Sequence, residues 1–142
     1  MESLKYNHYS PLPSVGDIVW CRFPEVMGCD KPKSRPVLVL AVSSKLKVVR
    51  VAFGTSQKTD RIYSGEFLIK QDSSSAFKQS GLSYSTKFDL TKCANLPFSN
   101  EFFDRASTTH DYEPAPKMGS VHISYNSSLQ KAKGEASKKD GV

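Results

Sequence analysis

At 142 residues, 38% of them hydrophobic and 24% charged, the chain is sized for one modest core with flanking arms rather than for two domains. The net charge of +6 suits a polyanionic partner such as nucleic acid, because each phosphate met by Lys or Arg releases condensed counterions; a basic surface that serves only solubility would carry the same charge. No apolar run approaches the roughly 20 residues a membrane-spanning helix needs, and Met1-Glu2-Ser3-Leu4-Lys5 lacks the apolar stretch of a secretory signal, so a cytoplasmic protein with no membrane partner is expected.

Residues 1–13 are polar, contain Pro11 and Pro13, and read as an extended N-terminal arm. Gly16 and Asp17 form a turn, Ile18-Val19-Trp20-Cys21-Arg22-Phe23 reads as a strand, and Pro24 stops it. A loop over 25–34 holds Gly28, Asp30 and Pro32. Arg35-Pro36 then leads into Val37-Leu38-Val39-Leu40-Ala41-Val42, an unbroken apolar run that predicts a strand covered on both faces. Ser43-Ser44-Lys45 is the hairpin connection, and 46–53 is the returning strand.

A polar loop is expected over 54–61, and a strand over 66–70 with Gly65 as its opening turn. Residues 72–79 predict a short helix capped by Asp72 and closed by Gly81. Two short strands are expected over 86–90 and 92–96, with Asn100 capping a final turn. Residues 105–142 have few large apolar side chains and many Ser, Lys and Gly, and read as a largely disordered polar tail in which Val121, Ile123 and Tyr125 alternate as in a strand. The result is a mainly β protein: a small barrel over 14–104, with one or two short helices and disordered tails. A strongly twisted antiparallel barrel resolves the edges of so many short strands.

Few residues offer familiar chemistry. Cys21, Cys29 and Cys93 cannot all pair and fit no zinc spacing; Cys21 falls in an apolar strand as a buried thiol. His8, His110 and His122 all lie in the arms. No Asp/Glu/His cluster suggests a metal, and no cofactor is expected.

Three polar groups remain. Lys31, Lys33 and Arg35 load the first loop with charge, and a guanidinium at the junction of loop and buried strand can grip a phosphate with two hydrogen bonds. Gly54-Thr55-Ser56-Gln57-Lys58, with Arg61, offers hydroxyls and charge where a backbone can approach closely, although an ordinary hairpin loop has the same composition. Lys87 and Asp89 are two apart on a strand and so share a face. There they suit an acid–base pair or a surface ion pair contributing roughly 0–1 kcal/mol.

These elements resemble the MazF/PemK toxins. Gly16-Asp17-Ile18-Val19-Trp20, then Lys33-Ser34-Arg35-Pro36 and its apolar strand, looks like their opening; Gly54-Thr55-Ser56-Gln57 resembles their next polar strand end, and Gly81-Leu82 through Leu96 their closing segment. The likeness covers about residues 14 to 104. It implies an SH3-like barrel that dimerises, a metal-independent endoribonuclease acting on single-stranded RNA, and an antitoxin partner. The family's catalytic arginine falls on Arg35 and its catalytic Thr or Ser on Thr55, or on Ser56 if the loop shifts by one. An Arg-x-Asp pair of some members falls on Lys87-Phe88-Asp89, where lysine replaces the fork-shaped guanidinium. The resemblance thus also admits a catalytically silent barrel, carried by a phage or mobile element, that binds nucleic acid or a host protein.

Overall fold

The computed structural model describes residues 6–24, 33–106 and 116–140. Its strands are β1 (Asp17–Arg22), β2 (Ser34–Ser43), β3 (Val48–Thr55), β4 (Glu66–Ile69), β5 (Thr86–Pro97) and β6 (Lys117–Ser120), with helices α1 (Ser75–Ser80) and α2 (Asn126–Asp140). They form one curled antiparallel sheet in the order β4-β5-β3-β2-β1-β6, the mainly β architecture expected from the strand pattern.

The unbroken apolar run has a structural cause. Val37, Leu38 and Val39 are all fully buried, because β2 is covered on both sides. Leu38 joins Ile18, Ala52, Phe67, Phe88 and Met118 in one core, capped by Phe77 of α1 and Leu129 of α2. Val37 and Val39 join Val19, Val49, Val51 and Phe103 in the other, closed by Tyr9 and Leu12 of the N-terminal segment. That segment is docked rather than loose: the Tyr9 backbone N–H donates to the Phe98 carbonyl, its hydroxyl to the Phe103 carbonyl, and its ring packs on Phe98.

The helices cover the sheet edges, which would otherwise offer unpaired backbone groups to other chains. α1 lies on β6 so closely that a side chain at Gly119 would run into the Gln79 and Ser80 backbones. Its N-cap is Ser74, whose hydroxyl accepts from the Phe77 N–H. Asp72, expected in that role, instead accepts from the backbone and hydroxyl of Ser74 one turn earlier, which holds its carboxyl below the usual range. Gly81 closes the helix at φ +71°, as expected of a left-handed C-cap.

The C-terminal region departs from expectation. β6 is formed within the sheet and α2 is packed on it, in place of the largely disordered tail expected over 105–142. Leu129, Ala132 and Ala136 are buried at helical spacing, so a stripe of one leucine and two alanines docks a helix of low overall hydrophobicity. The Val121–Tyr125 alternation is not a strand: Ile123–Tyr125 is a 3-10 turn, with Ile123 exposed and Tyr125 edge-on to Phe67. The two strands expected over 86–96 are one, β5, interrupted by a bulge. No described helix is long and apolar enough to cross a membrane.

Candidate nucleic-acid interface

β2 begins, β3 ends and β5 begins at the same end of the sheet, as the pairs Val37↔Phe53 and Thr55↔Lys87 require. The strands approach tightly there. A Cβ on Gly54 would lie 2.3 Å from the Pro36 carbonyl oxygen and 2.9 Å from the Phe88 ring, so only glycine fits, and its carbonyl is left close to Arg35. The Arg35 Nη1 donates to that carbonyl (3.3 Å), while its Cζ sits 4.5 Å from the centroid of Phe53. The carbonyl and the ring together orient the guanidinium.

Lys92 reaches the same ring, its Nζ 4.0 Å from the centroid. β5 makes this possible through its bulge: Phe53 pairs with Asp89, but Ala52 pairs with Cys93, so Leu90, Thr91 and Lys92 are inserted between consecutive partners. Bulges of this kind re-aim side chains next to functional sites. Phe53 is itself held edge-on by Phe23, 5.4 Å away.

These residues border a cavity of about 610 Å³, a size that suits a small ligand or a segment of a larger one. It is lined by the basic Lys33, Arg35 and Lys92, by the polar Thr55, Ser56 and Gln57, and by the large Trp20, Leu82, Tyr84 and Met118. The Thr55 hydroxyl oxygen accepts from the Gln57 N–H (3.1 Å), which leaves its own hydrogen to donate elsewhere. Among the described lining residues, those that carry charge at neutral pH, Lys33, Arg35 and Lys92, are all cations.

The structure thus brings together Arg35, Thr55, Ser56, Gln57 and Lys33. It does not bring Lys87 and Asp89 to the cavity. Lys87 is buried; its Nζ donates to the Arg61 carbonyl (2.9 Å) and to Glu66 Oε1 (3.1 Å), and Tyr63 lies over it. Asp89 Oδ1 accepts from the backbone N–H and hydroxyl of Thr91. The spacing rightly put both on one strand face, but it could not tell which neighbouring strand would take their charges. Lys58 and Arg61 are exposed in the turn beyond β3 and do not line the cavity; Lys31, Cys29 and His110 lie outside the described residues. Sequence reading missed Phe53, Lys92 and Tyr84, since nothing in the residue pattern announces the bulge that turns Lys92 inward.

Cys21 pairs with Arg35 across β1 and β2 and is fully buried. Burial pushes its thiol up to about 12, against smaller opposing effects of Arg22 and Arg35, so it stays protonated and unreactive at neutral pH. Among the described residues, no group of three or more His, Cys, Asp or Glu stands close enough to hold a metal ion.

The sequence matches the family described as PemK-like, MazF-like toxin of type II toxin-antitoxin system over residues 14–109. A crystal structure of MazF from Deinococcus radiodurans is similar over 92% of this chain and 98% of that one, at 16% identity and a TM-score of 0.59. A crystal structure of MazE-MazF from the same organism matches over 92% of this chain and 97% of that one, at 17% identity and a TM-score of 0.55. At such identities the structural likeness speaks for the fold alone. No curated protein sequence matches the chain.

Proposed function

This chain belongs to the PemK-like, MazF-like toxin family of type II toxin-antitoxin systems, and from that premise we propose that it is an endoribonuclease that binds single-stranded RNA in the cavity at the end of β2, β3 and β5. One observation carries the reading: an oriented guanidinium, a hydroxyl with a hydrogen to donate and two lysines converge on one cavity.

In the proposed reaction the ribose 2′-oxygen attacks the adjacent phosphorus, loses its proton to solvent, and expels the 5′-oxygen of the next nucleotide, which takes up a proton from solvent. The products are a 2′,3′-cyclic phosphate and a 5′-hydroxyl. Arg35 and Thr55 donate to the non-bridging oxygens as the phosphorane gains charge, and Lys33 and Lys92 add positive potential. Donors fixed before the charge develops are the largest single source of rate in such sites. Lys87 and Asp89 are assigned to the support of this end of the sheet rather than to the RNA.

The partners proposed with this activity are a second copy of the chain and an antitoxin, the latter supported by family membership and by the MazE-MazF neighbour; the site of action is the cytoplasm, where RNA is met. Purified protein incubated with single-stranded RNA in EDTA tests the central claim. Cleavage leaving cyclic phosphate ends, lost in Arg35→Ala, is the expected result. Intact RNA at high protein concentration sinks it.

A second reading, RNA binding without cleavage, is favoured by the lack of any carboxylate or imidazole among the described residues lining the cavity. The same incubation separates the two, since a silent barrel retards the RNA in a gel and leaves its length unchanged.

A further inference from the structure

The cavity lining contains a feature that phosphate binding does not use. Tyr84 is 67% exposed and lines the same cavity as Arg35 and Lys92. Its exposure does not come from a loose loop. The connector between α1 and β5 is held on both sides of Tyr84: Gly81 lies so close to β6 that a Cβ there would stand 2.0 Å from the Met118 carbonyl oxygen. Leu82 is buried in the core. The Ser85 hydroxyl accepts from the Gln71 N–H (2.7 Å), and the Thr86 hydroxyl donates to the carbonyl of Tyr84 itself (2.9 Å). A large ring is therefore kept at the surface on a fixed support, beside a basic cluster.

The geometry points to Tyr84 as a stacking platform for a nucleobase of the bound RNA strand, next to the phosphate held by Arg35. Proteins that hold single strands combine a cationic track for the backbone with aromatic rings for the bases, because every base has a face to stack. Here the described lining residues supply both kinds of group: cations and hydroxyls, and Tyr84 with Trp20, Leu82 and Met118. An aromatic ring two rotatable bonds from a pinned backbone loses little freedom on stacking. The inference rests on the RNA reading above and adds which part of the nucleotide Tyr84 takes.

The test measures fluorescence anisotropy with a short mixed-sequence 2′-O-methyl RNA, which cannot undergo 2′-attack, and with an abasic oligomer of the same backbone. Tyr84→Ala is expected to weaken binding of the base-bearing strand ~10-fold and leave the abasic strand unaffected. Tyr84→Phe restores the affinity, because the ring and not the hydroxyl stacks. Leu46→Ala, which removes an equally exposed apolar residue in the β2–β3 turn at the other end of the sheet, serves as the neutral control. The proposal is overturned if Tyr84→Ala binds the base-bearing strand as the parent does while Arg35→Ala loses it, or if Tyr84→Ala weakens both strands equally. A parent protein that binds neither strand removes the RNA reading first, and this inference with it.

Discussion

Arg35 and Lys87 are two cations on one side of the sheet with opposite fates. The register places Arg35 two residues before Val37, Val37 opposite Phe53, and Lys87 opposite Thr55, so by alternation all share a face. Arg35 is half-buried, held by the Gly54 carbonyl and the Phe53 ring, and opens on a cavity. Lys87 is sealed between the Arg61 carbonyl, Glu66 and the Tyr63 ring. A guanidinium spreads five donors over a planar fork, whereas an ammonium that meets a carbonyl and a carboxylate has spent two of its three. A shared face therefore does not make a shared site; what decides is which neighbour reaches the charge first.

The largest expected effect breaks the open side. Arg35→Ala should lower the cleavage rate by about 10²–10³-fold, the loss seen when one preorganised oxyanion donor is removed, with the fold intact by circular dichroism. Arg35→Lys keeps the charge but not the planar fork, and should recover only part of that loss. If Arg35→Ala cleaves at the parent rate, the cavity is not the site. The next effect breaks the closed side. Glu66→Ala leaves Lys87 buried without its carboxylate and should cost about 3 kcal/mol in urea unfolding, the low end for an orphaned buried charge because the Arg61 carbonyl remains. Replacing both partners, Lys87→Met with Glu66→Leu, should bring stability back to within about 1 kcal/mol of the parent. The double change should leave RNA affinity as it was, which Arg35→Ala cannot do.

That contrast also explains what the sequence could and could not convey. The strands were legible because β-branched and aromatic runs are bounded by Gly and Pro: the 37–42 run needed two covered faces, and two cores supply them. Arg35 and Thr55 were legible as site candidates because each stands where a strand meets a polar loop. α2 was not, because Leu129, Ala132 and Ala136 bury so little apolar surface that Ser and Lys dominate the composition, although their spacing carried the signal. Lys92 was not, because the insertion that aims it at Phe53 is a property of pairing with β3 and leaves no mark in β5's own residues. Lys87 and Asp89 were legible as neighbours but not by role, since Glu66 and Thr91 take their charges through contacts that residue spacing does not encode.

Asp89 gives a smaller and sharper test. If it removed the 2′-hydroxyl proton, Asp89→Asn would stop cleavage. Its carboxylate is turned to Thr91, so the expected outcome is continued cleavage with a stability loss of about 1 kcal/mol, the usual scale of one weakened hydrogen bond. A complete loss of turnover with RNA binding unchanged would return Asp89 to the chemistry and close the distinction between the two regions.

The smallest effect compares two lysines of one strand. Lys92 is exposed at the cavity with its ammonium over Phe53; Lys87, five positions earlier on β5, is buried in its ion pair. A cation that neutralises a phosphate of single-stranded RNA contributes about 0.7 to the slope of log affinity against log salt. Lys92→Ala should lower that slope by about this amount and weaken binding most at low salt. Lys87→Met, examined with Glu66→Leu so that no charge is orphaned, should leave the slope where it was, because its charge never reaches the phosphate and its partner's charge leaves with it. Measuring both slopes with the same non-cleavable strand makes each variant the control for the other. Equal changes in the two would mean that Lys87 also meets RNA, and that the sealed pair opens when the strand binds.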